Sequence, residues 1–379
     1  MALEATAIAR KGGTERTADE RYYIASQWQL MWRKFNRHKL AVVSLVLLGL
    51  LYLVAFTYEF WAPYDLLTQH QQYLGMAPSR IHLFDSTGKF RGPFVYGLKG
   101  VVDFETFTRV FTEDTTQVYP IRFFVRGEPY RFWGLFESDV HFFGAQGEGR
   151  VFLFGTDRLG RDVFSRTLAA SRISLSVGLV GVALSFVLGC VLGGISGFFG
   201  GTVDMIIQRI VEFLISIPTI PMWMALSAAV PPRWSPVRTY FAITIILSII
   251  SWAGLARVVR GKLLELREYD YVMAAKVAGA SEMQIIFDHL LPGFASYLIV
   301  RLTLAIPGMI LGETSLSFLG LGIRPPAVSW GTLMQDAQNV QAIAIQPWLL
   351  IPGLFVILAV LLYNFVGDGL RDAADPYRT

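Results

Sequence analysis

Residues 260–292 carry the most specific pattern in the chain. They read Arg-Gly-Lys-Leu-Leu-Glu-Leu-Arg-Glu-Tyr-Asp-Tyr-Val-Met-Ala-Ala-Lys-Val-Ala-Gly-Ala-Ser-Glu-Met-Gln-Ile-Ile-Phe-Asp-His-Leu-Leu-Pro. The spacing predicts two short helices, Asp270–Ala278 and Ser281–Leu290. Gly279 supplies a left-handed stop for the first, and Ser281 a cap for the second. The small pair Ala274-Ala275 gives the first helix a flat face. Such a face suits the groove of another protein, although a generic helix-turn-helix would read the same way. Two ionisable residues, Arg301 and Glu313, sit in or beside a long apolar stretch. Charge at membrane depth is costly and faces protein or water rather than lipid. They lie ~18 Å apart along a helix and cannot pair. Arg301 either snorkels or lines a path; Glu313 either holds the loop that follows or meets solute. The five histidines (38, 70, 82, 141, 289) are scattered and make no metal cluster, so no metal site is expected. Cys190, the single cysteine, lies in an apolar run and reads as packing. Neither a Gly-x-x-x-x-Gly-Lys-Ser/Thr loop, nor His-Glu-x-x-His, nor Gly-x-Ser-x-Gly occurs, so the chain is expected to bind no ATP in that way and to carry no catalytic residue and no cofactor.

The elements that must position these residues are membrane helices. The chain has 379 residues, 53 % hydrophobic and only 16 % charged, with a formal charge of +4. That charge deficit excludes a disordered chain, a coiled coil and a basic nucleic-acid-binding domain. Six stretches are long and apolar enough to cross ~30 Å of hydrocarbon: Leu40–Trp61, Ile173–Phe199, Val211–Val230, Tyr240–Val259, Phe294–Leu316 and Trp348–Val366. The third contains Pro218 and Pro221, which a packed membrane helix tolerates. The first is too long for a signal-peptide core and follows a polar segment. Lys and Arg crowd residues 1–39 and the loop after the fourth span, and are sparse in the loops after the third and fifth. The positive-inside rule then puts both termini and loop 260–292 in the cytoplasm.

Residues 62–155 form an extracytoplasmic insertion too large for a connector. Val118–Arg126 and Pro129–Phe136 read as strands of a hairpin turning at Gly127-Glu128. Tyr130, Phe132 and Trp133 could pack within a small β domain or dock a binding protein outside. Residues 156–172 read as an amphipathic helix at the membrane interface, an elbow or a partner site. Gly189, Gly193 and Gly197, four apart in the second span, predict close helix packing without naming the neighbour. Residues 173–366 then hold spans two to six, and 367–379 a cytoplasmic tail.

Loop 260–292 resembles the coupling loop of bacterial ABC importer permeases. Ala274, Ala275, Gly279, Leu291 and Pro292 fall in its register, while Met273 stands in place of Glu and His289 in place of Ile. Arg37-His38-Lys39-Leu40-Ala41, Gly155-Thr156-Asp157-Arg158-Leu159-Gly160-Arg161-Asp162, Leu316-Ser317-Phe318-Leu319-Gly320-Leu321-Gly322 and Gly367-Asp368-Gly369-Leu370-Arg371-Asp372 are similar to the C-type permease of dipeptide and oligopeptide importers. The resemblance covers roughly 33–63 and 151–379, and the insertion 64–150 departs from it. It implies an all-α polytopic membrane protein of the type I importer permease fold, six transmembrane helices with a partly β insertion between the first two, in a bacterial inner membrane. It also implies half of a pore, completed by a second, different permease. Two cytoplasmic ATPases would contact Asp270, Tyr271, Ala274, Ala275, Gly279, Ala280, His289 and Pro292, and a periplasmic binding protein would deliver the solute. Related permeases with long external segments serve oligosaccharides, which leaves that solute class open. A membrane-anchored receptor or scaffold is the reading from another class, and six spans speak against it.

Overall fold

The computed structural model describes residues 27–103, 108–290 and 293–375. Helix α1, Gln27–Arg37, and α2, Lys39–Phe56, are divided at His38, whose Nδ1 accepts from Ala41 N at 3.2 Å. Helix α2 is apolar on every side, and its outward residues Leu40, Val43, Val46, Leu50 and Leu53 stand open. A helix of that kind needs an apolar surrounding. The short α3, Tyr58–Trp61, leads out of the bundle into the sheet region. There β1 (His82–Phe84), β2 (Phe90–Asp103), β3 (Thr108–Phe132) and β4 (Phe136–Ala145) make one antiparallel sheet in chain order.

The chain then returns to the bundle as α4, Val163–Phe199; α5, Gly201–Ser216; α6, Thr219–Ala228; and α7, Pro236–Leu266. Next come α8, Asp270–Val277; α9, Glu282–Gln284, which runs into a π-helical turn Ile285–Leu290; and α10, Ala295–Phe318. Helices α11 (Trp330–Met334), α12 (Val340–Ile345) and α13 (Ile351–Ala374) complete it. Among the described residues five helical segments are long and apolar enough to cross a membrane, or six if the bent pair α5–α6 counts as one. The main core joins Leu48 of α2, Leu175 of α4, Leu247 of α7, Ile310 of α10 and Ala359 of α13. Within it the hydroxyls of Tyr52 and Tyr363 meet at 2.6 Å, and Tyr52 also donates to Leu175 O at 3.3 Å.

The bundle has two distinct ends. Lys34 Nζ donates to Asp375 O at 3.0 Å, so both described chain ends lie together. Helix α2 separates them from the sheet, which meets Phe56 through Trp133. Helix α4 begins beside the sheet, Phe164 against Phe143, and ends beside α8, Phe198 against Lys276.

Several expected boundaries move. The third span is not one rod: α5 and α6 meet at 91°. Pro218 gives no N–H and drives Ile217 to extended backbone, ψ 132. The amphipathic helix expected at 156–172 is not a separate element. Residues 156–161 form a turn, and α4 runs unbroken from Val163, capped by Asp162 Oδ2 on Ser165 N at 2.8 Å. Arg166, which an amphipathic helix over 156–172 would carry on its polar face, is buried against Asp157. The hairpin does not turn at Gly127-Glu128. Strand β3 continues through them, with a register shift between Arg126 and Tyr130, and turns at Trp133-Gly134. Helix α7 extends to Leu266, into the expected loop, and α13 extends to Ala374, into the expected tail.

Candidate functional site

A cavity of about 460 Å³ opens between α4, the α5–α6 break, α7 and α10. Phe186, Leu214, Trp223, Leu255 and Met309 give it apolar walls. Its polar lining is sparse. Arg301 lies on the wall, is exposed, and forms no ion pair among the described residues. Trp223 also lines it, its Nε1 closed off from solvent and without a hydrogen-bond partner among the described residues. The hydroxyls of Ser185 and Ser251 are committed as donors to Ser248 O at 3.1 Å and Leu247 O at 2.7 Å. No Asp or Glu is among the lining residues. A cavity whose cation is unpaired among the described residues, and which no carboxylate lines, is built to meet an anionic acceptor.

Glu313 is not on that wall. It is fully buried, accepting from Ser174 Oγ at 2.9 Å and Ser317 Oγ at 2.6 Å. Those serines in turn accept from Trp330 N at 3.1 Å and Ile323 N at 3.0 Å. Glu313 thus holds the loop after α10 and the start of α11 onto α4.

At the other site, α8 ends in a Schellman motif. Gly279 has φ +82, its N–H reaches Lys276 O at 3.0 Å, and Ala280 N reaches Ala275 O at 3.0 Å. Ser281 caps α9 in a reciprocal box with Gln284. Val272 and Ala275 pack inward on Leu263, Ile285 and Ile286. Asp270, Tyr271, Met273, Ala274 and Val277 point outward, Val277 being 89 % exposed. Of the small pair, Ala274 is therefore the open member and Ala275 a packing residue. His289 lies in the π-helical turn, and Pro292 lies outside the described residues.

The glycine stripe has a named neighbour. A Cβ at Gly189 would meet Leu255 at 2.8 Å, one at Gly193 would meet Ala256 O at 2.5 Å, and one at Gly197 would meet Arg260 O at 2.8 Å. All three contacts are on α7. Cys190 is half-buried, packed against the inner cluster of Val259 and Leu263.

Tyr130 and Trp133, expected to pack or to dock a partner, are engaged inside the chain. Tyr130 donates to Val140 O at 2.8 Å, and Trp133 Nε1 to Phe56 O at 3.0 Å. Phe132 is half-buried beside them.

Three polar clusters escaped sequence reasoning. Arg172 grips Glu59 at 2.9 and 2.7 Å, donates to Phe56 O at 2.7 Å, and lies over Tyr58 and Trp133. Arg260 forks onto Asp204 at 2.5 Å through both carboxylate oxygens, tying α7 to α5. Asp157 takes Arg161 Nε at 2.7 Å together with Arg166, and folds its own loop by accepting from Leu159 N and Arg161 N at 2.9 Å. Each pair joins residues far apart in sequence or hidden in a loop, which periodicity does not register.

The family described as binding-protein-dependent transport system inner membrane component matches residues 189–378. The N-terminal TM domain of oligopeptide transport permease C matches residues 26–78. The chain belongs to the first of these families, the membrane components of binding-protein-dependent transporters. It is 40 % identical to the dipeptide transport system permease protein DppC of Bacillus subtilis, over 59 % of this chain and 68 % of that one. It is 42 % identical to the oligopeptide transport system permease protein OppC of Haemophilus influenzae, over 59 % and 70 %. An inward-facing methionine ABC transporter, MetNI, aligns with a TM-score of 0.43 at 20 % identity, covering 55 % of this chain and 96 % of that one. Between the two matched regions, residues 79–188, lie the sheet and the first two-thirds of α4.

Proposed function

We propose that this chain is one half of the translocation path of an ABC importer for dipeptides or oligopeptides. A second, different permease completes the path. Two ATPases engage α8 on the cytoplasmic side, and an external binding protein delivers solute at the sheet end. The observation that carries this reading is the cavity between α4, α5–α6, α7 and α10, with an Arg301 that pairs with no acid among the described residues. A peptide brings a carboxylate for the guanidinium and side chains for the apolar wall. The similarity to permeases named for dipeptides and oligopeptides points to the same class. A neutral oligosaccharide would leave Arg301 without a counter-charge. Joined chain ends and the Lys/Arg bias support a cytoplasmic location for α1, α8 and the end of α13.

The test is to purify the assembly with its binding protein, identify the bound solute by mass spectrometry, and measure its uptake into proteoliposomes. Peptides should be recovered and transported. In the Arg301→Gln variant, uptake of a free-acid peptide should fall toward that of its C-terminal amide. Recovery of a neutral saccharide as the transported solute would overturn the peptide reading.

A further inference from the structure

The β3–β4 hairpin ends where α2 ends. Its tip reads Phe132-Trp133-Gly134-Leu135-Phe136, closed by Leu135 N donating to Phe132 O at 2.9 Å. Hairpin tips in water favour Asn, Asp and Gly. This one carries three large apolar side chains, all open: Trp133 is 52 %, Leu135 77 % and Phe136 71 % exposed. Trp133 also holds φ +53, a region that is costly for a bulky residue. Such a conformation persists only where the surroundings over-determine it.

Those surroundings fix the depth of the tip. Trp133 Nε1 donates to Phe56 O at 3.0 Å, its ring stacks on Phe56 at 5.6 Å, and the Arg172 guanidinium lies 4.9 Å from the ring. Phe56 is the last residue of α2, a helix of 18 residues with mean hydropathy 2.4. Such a helix is ~27 Å long, close to the ~30 Å of a hydrocarbon core. Phe56 therefore stands at the boundary between hydrocarbon and headgroups. The open surface of the tip continues the open apolar surface of α2, which ends in Leu50 and Leu53. Just behind the tip, Arg131 and Glu137 pair at 2.6 and 3.0 Å, a polar collar at the point where the strands return to water.

We propose that Trp133–Phe136 is an interfacial membrane anchor for the external sheet. Leu135 and Phe136 enter the leaflet in which α2 ends, and Trp133 sits at headgroup level, where aromatic rings gather. The occupant is lipid, because the tip is pinned to the end of a lipid-crossing helix. The proposal depends on the membrane setting of α2 and on neither the solute nor the partner subunits.

The test uses the full transporter in nanodiscs, in a Cys190→Ala background that removes the single cysteine. Leu135→Cys and Phe136→Cys are labelled separately with a small fluorophore, and Ser86→Cys, in the exposed β1–β2 turn, serves as the water-facing reference. Brominated lipid should quench the labels at 135 and 136 several-fold more than the label at 86, and aqueous iodide should do the reverse. Iodide quenching at 135 and 136 equal to that at 86 would overturn the proposal. Shielding from both quenchers would also overturn it, in favour of a protein partner on the tip. If Leu135→Cys fails to fold, Phe136→Cys carries the measurement.

Discussion

At the scale of single residues, two glycines do different work. Gly193 permits contact: a Cβ there would stand 2.5 Å from Ala256 O, and backbone cannot step aside as a side chain can. Gly193→Val should therefore separate α4 from α7 and cost about 3 kcal/mol, the upper part of the usual range for overpacking. A thermal unfolding midpoint in nanodiscs reads this out. Gly261→Ala on the same helix pair, where a Cβ meets nothing within 4 Å, should leave the midpoint in place. Gly279 permits a conformation: its Cβ would meet nothing, but its φ of +82 is barred to β-branched residues. Gly279→Val should fray the end of α8 while the bundle stays folded. ATP hydrolysis stimulated by the loaded binding protein should fall several-fold at an unchanged midpoint. Gly279→Asn should retain most of it, since Asn tolerates the left-handed region. Stimulation that survives the Val variant would detach this turn from coupling. The stop at Gly279 and the cap at Ser281 were legible because a turn of this kind depends on local chemistry. The partner of Gly193 was not, because spacing reveals a small-residue face and not the helix that covers it.

At the scale of elements, the joint between sheet and bundle rests on Arg172. It closes the carbonyl end of α2 through Ala55 O and Phe56 O, pairs with Glu59, and lies over Tyr58 and Trp133. Removing one partner of a buried pair costs roughly 3–5 kcal/mol, and about 2–3 is expected here because the Arg172 side chain is 24 % open. Arg172→Ala should accelerate hydrogen exchange at residues 55–62 and 131–135 while α7 and α10 stay protected. Uniform loss of protection would make Arg172 a determinant of the whole bundle. A second joint is pH-sensitive. His70 packs on Tyr64 and Phe152, its Nε2 is buried without a partner among the described residues, and burial, then the Arg150 charge, holds its pKa below 6.5, with Glu128 opposing. The folded form thus binds the proton less readily than the unfolded form. Its stability is complete above 6.5 and declines as pH falls toward the lowered folded value. Exchange at residues 70–76, corrected for its intrinsic pH dependence, should be faster at pH 5.5 than at pH 7.5, and His70→Asn should flatten that difference. The spans were legible as elements because hydropathy is a sum over many residues. The α5–α6 bend and the unbroken α4 were not, since both turn on how one proline or one N-cap is resolved by tertiary contacts.

At the scale of the whole molecule, the sheet is an addition to a bundle that closes beneath it. Ser79 N donates to Phe152 O at 2.8 Å and Phe152 N to Ser79 Oγ at 2.9 Å, so the two chain segments entering the sheet lie side by side. Below them, His70 N reaches Gly160 O at 3.0 Å, Gly75 N reaches Asp157 O at 2.9 Å, and Met76 N reaches Thr156 Oγ1 at 2.8 Å. Trp348 Nε1 donates to Thr156 O at 2.9 Å, tying this turn to the short helical turn Pro347–Leu350 that leads into α13. A bridge of two or three Gly/Ser residues can therefore replace residues 80–149 without stretching the chain, while a cut reaching back to residue 66 would destroy the turn. The excised chain should insert and assemble, because the cavity and α8 lie wholly within residues 182–309. Its midpoint should fall, since Arg172 loses Trp133, Trp61 loses Phe142 and His141 no longer meets Ala62 O at 2.5 Å. Uptake driven by the binding protein should persist at a reduced rate in proteoliposomes. Full assembly with uptake abolished, and with weaker affinity for the binding protein, would instead make the sheet a docking platform. Failure to assemble, with residues 64–79 retained, would make the sheet part of the permease interface, and the view of it as an addition would have to be given up.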